Sequence, residues 1–285
     1  MSVSNSTTLN DLIGSVVSAD AQSAAYSARV MRPLVRSTQV PEGAGSITIP
    51  RFQKLTPALL TEGTAPSSTQ WSTDGVTLTP VERGTYVQIS KHTLYADPFT
   101  DLAPYGEQLG RALANDEDFQ ILALASGTAL TTNVQEGTLT STNAKNFLLS
   151  GVAQLEAQDA PGPYFGVFHP TSWDAMRASI GDASVMSTVG EGVVNGFGDG
   201  TNALNGYVGS PYGIPCFISS QVARSATVNF NVIASKEAFG YAYMQDIGVD
   251  VADNVPARAF DLMGWYAGHQ SALVEPYAAV IKDTF

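Results

Sequence analysis

The chain has 285 residues, of which 44% are hydrophobic and only 14% are charged, and its formal net charge is −12. This length buries a sizeable core in one large domain or two closely packed ones, and the shortage of charged residues favours a surface mostly occupied by neighbouring subunits. The negative charge balance argues against a protein that grips DNA, because lysine and arginine supply most nucleic-acid affinity.

The cysteine count and the hydropathy pattern bear on the compartment. Cys216 is the single cysteine of the sequence, which rules out an internal disulfide framework and indicates assembly in a reducing cytoplasm. No apolar run approaches the length of a transmembrane helix. The first basic residue is Arg29, whereas a signal peptide needs a basic start. We therefore expect neither secretion nor a membrane partner.

Residues 1–45 are predicted to form an N-terminal arm. Thr8-x-x-Asp11 resembles a capping box, and the apolar stripe after it fades into alanine and serine. This stripe is too thin to anchor an independent helix.

A basic stretch follows the arm's apolar stripe, and it contains Arg29, Arg32, Arg36, Arg51 and Lys54. The commoner interpretation of such a stretch is a solvated face. The alternative interpretation is a tether to an acidic surface on another subunit. Candidate acidic partners lie in the C-terminal part of the chain: Asp246, Asp250, Asp253 and Asp261.

Two alternating segments, 46–52 and 76–90, predict the strands of a long hairpin. The loop between them, residues 54–75, is too long for an ordinary hairpin turn. Ordering a residue's backbone costs roughly 1–2 kcal/mol, and this loop has few apolar side chains to offset that cost. The loop is therefore expected to project and lie over a neighbouring subunit.

A helix of about two dozen residues is predicted over 103–126, roughly twice the average length. Asp97-Pro98 and Asp101 mark its start, and Gly127 is a suitable C-cap. Such a helix is typical of a backbone on which sheets pack.

The rest of the chain predicts a mixture of helices and strands without an internal repeat. Helices are expected over 143–159 and after Thr171-x-x-Asp174, and residues 190–209 are expected to be loop. Strands are expected over 165–168, 214–219, 227–234, 240–244, 259–266, 271–275 and 278–282. The fold class is therefore α+β.

Several motifs in a fixed order carry a family resemblance: Leu60-Thr-Glu-Gly63, Val76-Thr-Leu-Thr-Pro80, Tyr86-Val-Gln-Ile-Ser90, Leu109-Gly-Arg-Ala-Leu-Ala-Asn-Asp-Glu-Asp118, Val167-Phe-His-Pro170 with Trp173, Gly209-Ser-Pro-Tyr-Gly-Ile-Pro215 and Ala278-Ala-Val-Ile-Lys-Asp-Thr-Phe285. Each motif is degenerate, but their order and spacing over roughly residues 46–285 are specific. The chain resembles the major capsid proteins of tailed bacteriophages of the Hong Kong 97 type.

This resemblance implies a domain organisation: an arm (1–45), an extended loop hairpin (46–90), a peripheral domain with a spine helix (91–142), an axial domain (143–254) and peripheral-domain strands that return to the axial domain (255–285). It also implies self-assembly as hexamers and pentamers into an icosahedral shell that encloses phage double-stranded DNA, with the virion as the location. Portal and decoration proteins are further expected partners.

Two departures from the family pattern refine these expectations. The arm begins at Met1 and is short, so a separate scaffolding protein is expected in place of a cleaved N-terminal extension. The loop tip, residues 55–75, has no lysine, so the covalent crosslink of some relatives is not expected. The residues expected at subunit contacts are the five basic residues above and four in the loop, Leu59, Leu60, Glu62 and Trp71.

The sequence lacks the common catalytic motifs. It has no G-x-S-x-G elbow, no H-E-x-x-H and no P-loop, and His169 before Pro170 is interpreted as a helix-entry residue. Gly198-Asp-Gly200-Thr-Asn-Ala203 fits the loose dinucleotide-binding pattern, but without a clear strand before it or an acid about twenty residues on it is interpreted as a chance match. We expect no cofactor and no metal. One alternative is a shell protein of an encapsulin-type nanocompartment, which shares the fold, and a remote one is a hydrolase that uses Ser90 and His92.

Overall fold

The structure is a computed structural model. The residues that it describes are 6–52, 59, 73–92, 103–180, 186–187 and 206–284.

Within these residues the chain forms four α-helices and thirteen strands. The helices are α1 (Ser6–Ala28), α2 (Ala103–Ala123), α3 (Ala144–Ala157) and α4 (Pro170–Ile180). The strands are β1 (Arg36–Gln39), β2 (Ile47–Phe52), β3 (Thr73–Leu78), β4 (Val81–Ser90), β5 (Val134–Gly137), β6 (Tyr164–Phe168), β7 (Met186–Ser187), β8 (Tyr207–Pro211), β9 (Cys216–Ile218), β10 (Val228–Ser235), β11 (Phe239–Asn254), β12 (Ala259–Ala272) and β13 (Ala278–Thr284). The predicted α+β class is confirmed.

A four-stranded sheet with the order β1-β11-β12-β4 forms one half of the core. Its long strands β11 and β12 are antiparallel, and a bulge lies between Tyr243 and Gly248. The helices α1 and α2 pack on each other and on one face of this sheet. There they bury the apolar side chains Val17, Leu109, Leu113, Ile247 and Leu262.

A mixed seven-stranded sheet with the order β5-β13-β10-β6-β9-β8-β7 forms the other half. Helices α3 and α4 cover one face of this sheet, while the end of α2 and the segment after α1 cover the other. Four of the five residues of the central strand β6 are buried, because both faces of the strand are covered. Cys216 is fully buried in β9.

The predicted hairpin is present as a two-stranded ladder between β2 and β3, which pairs Ile47 with Leu78 and Phe52 with Thr73. The base of the hairpin packs on the four-stranded sheet through Ile49, Leu78 and Leu273. In the loop of the hairpin, the structure describes Leu59, whose side chain is 95% exposed. The contact residues Lys54, Leu60, Glu62 and Trp71 lie outside the described residues, as does the predicted helix start at 97–101.

Four strand predictions were wrong in their extent. Segment 76–90 is two strands, β3 and β4, that join different sheets, because Pro80 between them has no N–H to donate to a ladder. Segments 259–266 and 271–275 are covered by one strand, β12, up to Ala272, and segment 240–244 is part of the 16-residue strand β11. Strand β8 also begins inside the predicted loop 190–209.

The predicted break in β12, residues 267–270, contains Gly268, and this glycine and Gly264, which lies inside the predicted strand 259–266, both have a packing role. A methyl group on Gly268 would overlap the phenol oxygen of Tyr241, and one on Gly264 would lie 3.0 Å from Leu113. These glycines let the neighbouring side chains approach the sheet closely, so they continue the strand rather than end it.

Candidate functional site

The N-terminal helix α1 packs closely against the spine helix α2. Gly106 and Gly110 lie one helical turn apart on the face of α2 that meets Val17 and Ala21 of α1. A methyl group on Gly110 would overlap the backbone carbonyl of Ala21, and one on Gly106 would lie 2.8 Å from the carbonyl oxygen of Val17. The arm thus forms a helix by packing on α2 rather than as an independent helix, which is consistent with its thin apolar stripe. Its alanines form a smooth face that the glycines of α2 accommodate.

An ion cluster lies where α1 ends. The Arg29 Nε atom is 2.8 Å from a carboxylate oxygen of Glu117 on α2, and Arg29 also pairs with Asp246 on β11. Arg32 lies 3.5 Å from Glu117 and 2.8 Å from Asp246, and its guanidinium stacks over the Tyr243 ring at 4.2 Å. The cluster thus links the C-terminal end of α1 to the spine helix α2 and to strand β11 of the four-stranded sheet.

The carboxyl groups of the cluster have perturbed pKa values. Burial raises the pKa of Glu117, and the charges of Arg29 and Arg32 oppose this rise. Partial burial also acts to raise the pKa of Asp246, but hydrogen bonds and charge from the same two arginines lower it to about 2. Asp246 is therefore ionised at neutral pH, and it pairs with both guanidinium groups.

Asp118 fixes the segment after α1. Its two carboxylate oxygens accept hydrogen bonds from the backbone N–H groups of Val30 and Met31, at 2.8 and 2.9 Å. The side chain is buried, and this burial raises the pKa of Asp118 to about 7 against the lowering effect of the two N–H groups.

The raised pKa of Asp118 predicts that unassembled subunits become more stable as the pH falls from about 7 to 5. The folded state binds a proton in this window that the unfolded state, with a carboxyl pKa of 3.8, does not bind, so protons favour folding. The stabilisation is complete below the unfolded pKa and is lost as the pH rises through about 7. Asp246 acts with the opposite sign, but only below its unfolded pKa of 3.8. Partial burial and the nearby Arg224 lower the pKa of His169 from 6.5, so His169 opposes part of the Asp118 effect within the same window.

Melting temperatures of unassembled subunits between about pH 5 and pH 7.5 test this effect. The variant Asp118→Asn should have a smaller slope than the wild type, and the remaining slope is expected from Glu117, whose pKa is also raised by burial. The amide is a poorer acceptor for two N–H groups, so the variant should also be less stable throughout. A wild-type melting temperature that is constant or rises with pH would contradict the assignment.

The other predicted basic residues lie nearer the surface. Arg36 on β1 is 3.2 Å from Glu237. Arg51 on β2 pairs with Asp74 on β3, across the hairpin, and donates to the backbone oxygen of Leu273 at 3.0 Å. Both arginines line a cavity of about 260 Å³ at the base of the hairpin.

The remaining predicted acids lie on β11 and β12 and have partners within the chain. The Trp265 indole N–H donates to Asp250 at 2.9 Å, and the Lys91 ammonium lies 2.6 Å from Asp253. Asp261 accepts hydrogen bonds from the side-chain amides of Gln88 and Asn254, both at 2.9 Å.

Of the predicted pairs between basic and acidic residues, the structure shows only some. The structure brings Arg29 and Arg32 to Asp246, as the charges suggested, but it does so within one chain, whereas the tether was expected between subunits. It does not bring the arginines to Asp250, Asp253 or Asp261. Contacts of these residues with other subunits stay a prediction.

Two residues of the site, Glu117 and Asp118, were missed. The signal was present in the sequence, because Asp116, Glu117 and Asp118 are consecutive on a helix. Three consecutive helical residues span about 200° of the helix circumference, so one solvent-facing stripe could not hold all three acids.

The groups considered for catalysis have structural roles. The Ser90 hydroxyl accepts a hydrogen bond from the His92 backbone N–H at 3.2 Å, which places it as a cap after β4. His169 precedes α4, and its Nδ1 atom accepts from the Thr171 backbone N–H at 3.3 Å. The interpretation of His169 as a helix-entry residue is confirmed.

Comparisons with known proteins agree with the fold. A family model described as phage capsid protein matches residues 73–281. No curated protein matches the chain. In the part of the chain that the structure describes, no helix combines the length and apolar character needed to span a bilayer.

Several solved structures have a similar fold although their sequence identity to this chain is low. The capsid structure of cyanophage P-SCSP1u has 15% identity and a TM-score of 0.66, over 90% of this chain and 89% of that chain. A chain of Gordonia phage Cozz has 16% identity and a TM-score of 0.65, over 90% and 87%. The virus-like particle from Pyrococcus furiosus has 10% identity and a TM-score of 0.61, over 93% and 97%. These likenesses show a shared fold.

Proposed function

The chain belongs to the phage capsid protein family, and on that premise we propose that its copies assemble as hexamers and pentamers into an icosahedral shell around double-stranded phage DNA. It is a major capsid protein with the Hong Kong 97-type fold. The match of the family model over residues 73–281 carries the proposal. The same match does not favour the nanocompartment alternative.

The distribution of charge supports a shell role. Most lysines and arginines in the described part of the chain pair with acids of the same chain: Arg29, Arg32, Arg36, Arg51, Arg83, Lys91, Arg111, Arg177 and Lys282. With a net charge of −12, the charge that is not balanced by these pairs is therefore acidic. An acidic wall repels packaged DNA and keeps it from adhering, which suits a container.

The partners follow from the same role. The proposed partners are other copies of the chain, a separate scaffolding protein, a portal protein and a decoration protein, with assembly in the host cytoplasm and a final location in the virion. The function is structural rather than enzymatic. We propose that the loop between β2 and β3 lies over a neighbouring subunit, with Arg36 and Arg51 beside its base.

Assembly of the purified protein, alone and with its scaffolding protein, tests the proposal. Closed shells are expected in cryo-electron micrographs, and their yield should rise with salt. Copies of charge −12 repel one another, and the screening length falls from about 30 Å at 0.01 M salt to about 10 Å at 0.1 M. Light scattering across this range measures the effect. Subunits that stay monomeric under all conditions would contradict the proposal.

A further inference from the structure

Strand β4 forms a long outer edge of the four-stranded sheet. It has ten residues and pairs with β12 on one side, and no described strand pairs with its other side. The edge strands β1, β5 and β7 have only four, four and two residues. Proteins usually protect a sheet edge by shortness, proline or a bulge, and β4 runs in unbroken register without any of these.

The register shows which backbone groups point away from the sheet. Lys91 N–H donates to the Arg258 carbonyl at 2.9 Å, in the register that continues as Ser90 opposite Ala259. Hydrogen-bonded pairs alternate along an antiparallel ladder, so the odd-numbered residues of β4 bond to β12. The backbone N–H and C=O groups of the even-numbered residues therefore point outward: Glu82, Gly84, Tyr86 and Gln88.

A groove runs beside this edge. It has a volume of about 410 Å³ and lies between β4 and α2, with Ala112 and Leu113 in its lining. The apolar side chains of Val81 and Tyr86 are each 56% exposed. A strand added to β4 would cover part of this apolar surface and would place alternate side chains over the groove.

The charge of the groove selects the kind of partner. Its two charged side chains, Arg83 and Asp116, lie 3.7 Å apart and offset each other. Two copies that each carry −12 meet with least repulsion through a neutral surface, and a backbone ladder adds no charge. A basic partner would gain more at the unpaired acids elsewhere on the chain.

We propose that the outer edge of β4 is a subunit interface that accepts an extended segment of a second copy of this chain by strand addition. The inference rests on the proposed function, because it assumes that copies assemble. The affinity comes from the backbone groups of the even-numbered residues, and the groove receives side chains of the added segment.

Proline substitution at the outward-facing positions tests the interface. Glu82→Pro and Gln88→Pro each remove one outward N–H and leave the bonds to β12 in place, since proline is tolerated on an edge strand when its nitrogen faces away from the ladder. The matched controls Glu82→Ala and Gln88→Ala remove the same side chains and keep the N–H. Thr85→Pro removes an N–H that bonds to β12, and this variant should lower the melting temperature of the subunit.

The critical concentration for shell formation, measured by light scattering, distinguishes the outcomes. Both outward proline variants should raise it by about tenfold or more over their alanine controls, because the lost hydrogen bond recurs at every copy of the contact. Their subunits should melt within a few degrees of the controls. Normal assembly of both proline variants, in a preparation where the wild type forms shells, would overturn the inference. Absence of wild-type shells under all conditions would instead overturn the proposed function.

Discussion

Replacing Gly110 by alanine will destabilise the subunit by about 2 kcal/mol, although helix propensity alone predicts a gain of about 1 kcal/mol from this change. The added methyl group would overlap the backbone carbonyl of Ala21 on the neighbouring helix. A backbone atom cannot rotate away, so α1 must move off α2. This movement opens the contacts of Val17 and Ala21 and strains the ion cluster at the end of α1.

Urea denaturation of unassembled subunits measures the effect of Gly110→Ala. Gly127→Ala is the matched control, because the nearest atom to its added methyl group is a carbonyl oxygen 3.8 Å away. The control should be neutral or slightly stabilising, since alanine lowers the entropy of the unfolded chain. If the two variants had the same stability, the close approach of α1 and α2 would not contribute to it.

Elements with strong local signals were predicted well from the sequence. The spine helix was found within a few residues at its C-terminal end, because its apolar residues recur at helical spacing and a glycine follows it. Helix α3 and strand β6 were also recognised, one by its amphipathic pattern and the other by a short apolar run before a proline. In these segments the local pattern and the tertiary environment agree.

Elements whose conformation depends on distant residues were predicted less well. Helix α1 is rich in alanine and serine, and its packing partners Gly106 and Gly110 lie far along the chain, so its hydrophobic contrast is low. In β12, Gly268 looks like a break in the strand unless Tyr241 is known to pack against it. Local sequence patterns do not contain these contacts.

The candidate site shows the same limit for charges. The arginines of the basic stretch and Asp246 were all identified from the sequence as candidate contact residues. Arg29 and Asp246 are 217 residues apart along the chain. Charge patterns identify complementary groups, but only the fold decides whether they meet within one chain or between two. The role of Asp118 could not be predicted from charge patterns at all, because its partners are backbone N–H groups, which no side-chain pattern reveals.

Replacing Arg29 by methionine will cost about 3 kcal/mol of folding free energy, because it leaves the Glu117 carboxylate buried with a weaker partner. The Arg29 and Glu117 side chains are 5% and 1% exposed. Arg32 stays 3.5 Å from Glu117 and offsets part of the loss. Methionine keeps much of the aliphatic volume, so the main change is the loss of the charge and its hydrogen bonds.

Arg111→Met is the matched control, since Arg111 pairs with Glu107 on the exposed side of α2 at 62% and 52% exposure. An exposed pair of this kind contributes about 0–1 kcal/mol, so the control should be nearly neutral.

The double variant Arg29→Met with Glu117→Leu should recover at least half of the loss in urea denaturation, because it removes the uncompensated buried charge. Recovery would show that the loss of stability in the single variant arises mainly because the Glu117 carboxylate stays buried without its main partner. A double variant as unstable as the sum of its single variants would instead mean that Arg29 and Glu117 act independently, and that the cluster does not couple α1 to the spine helix.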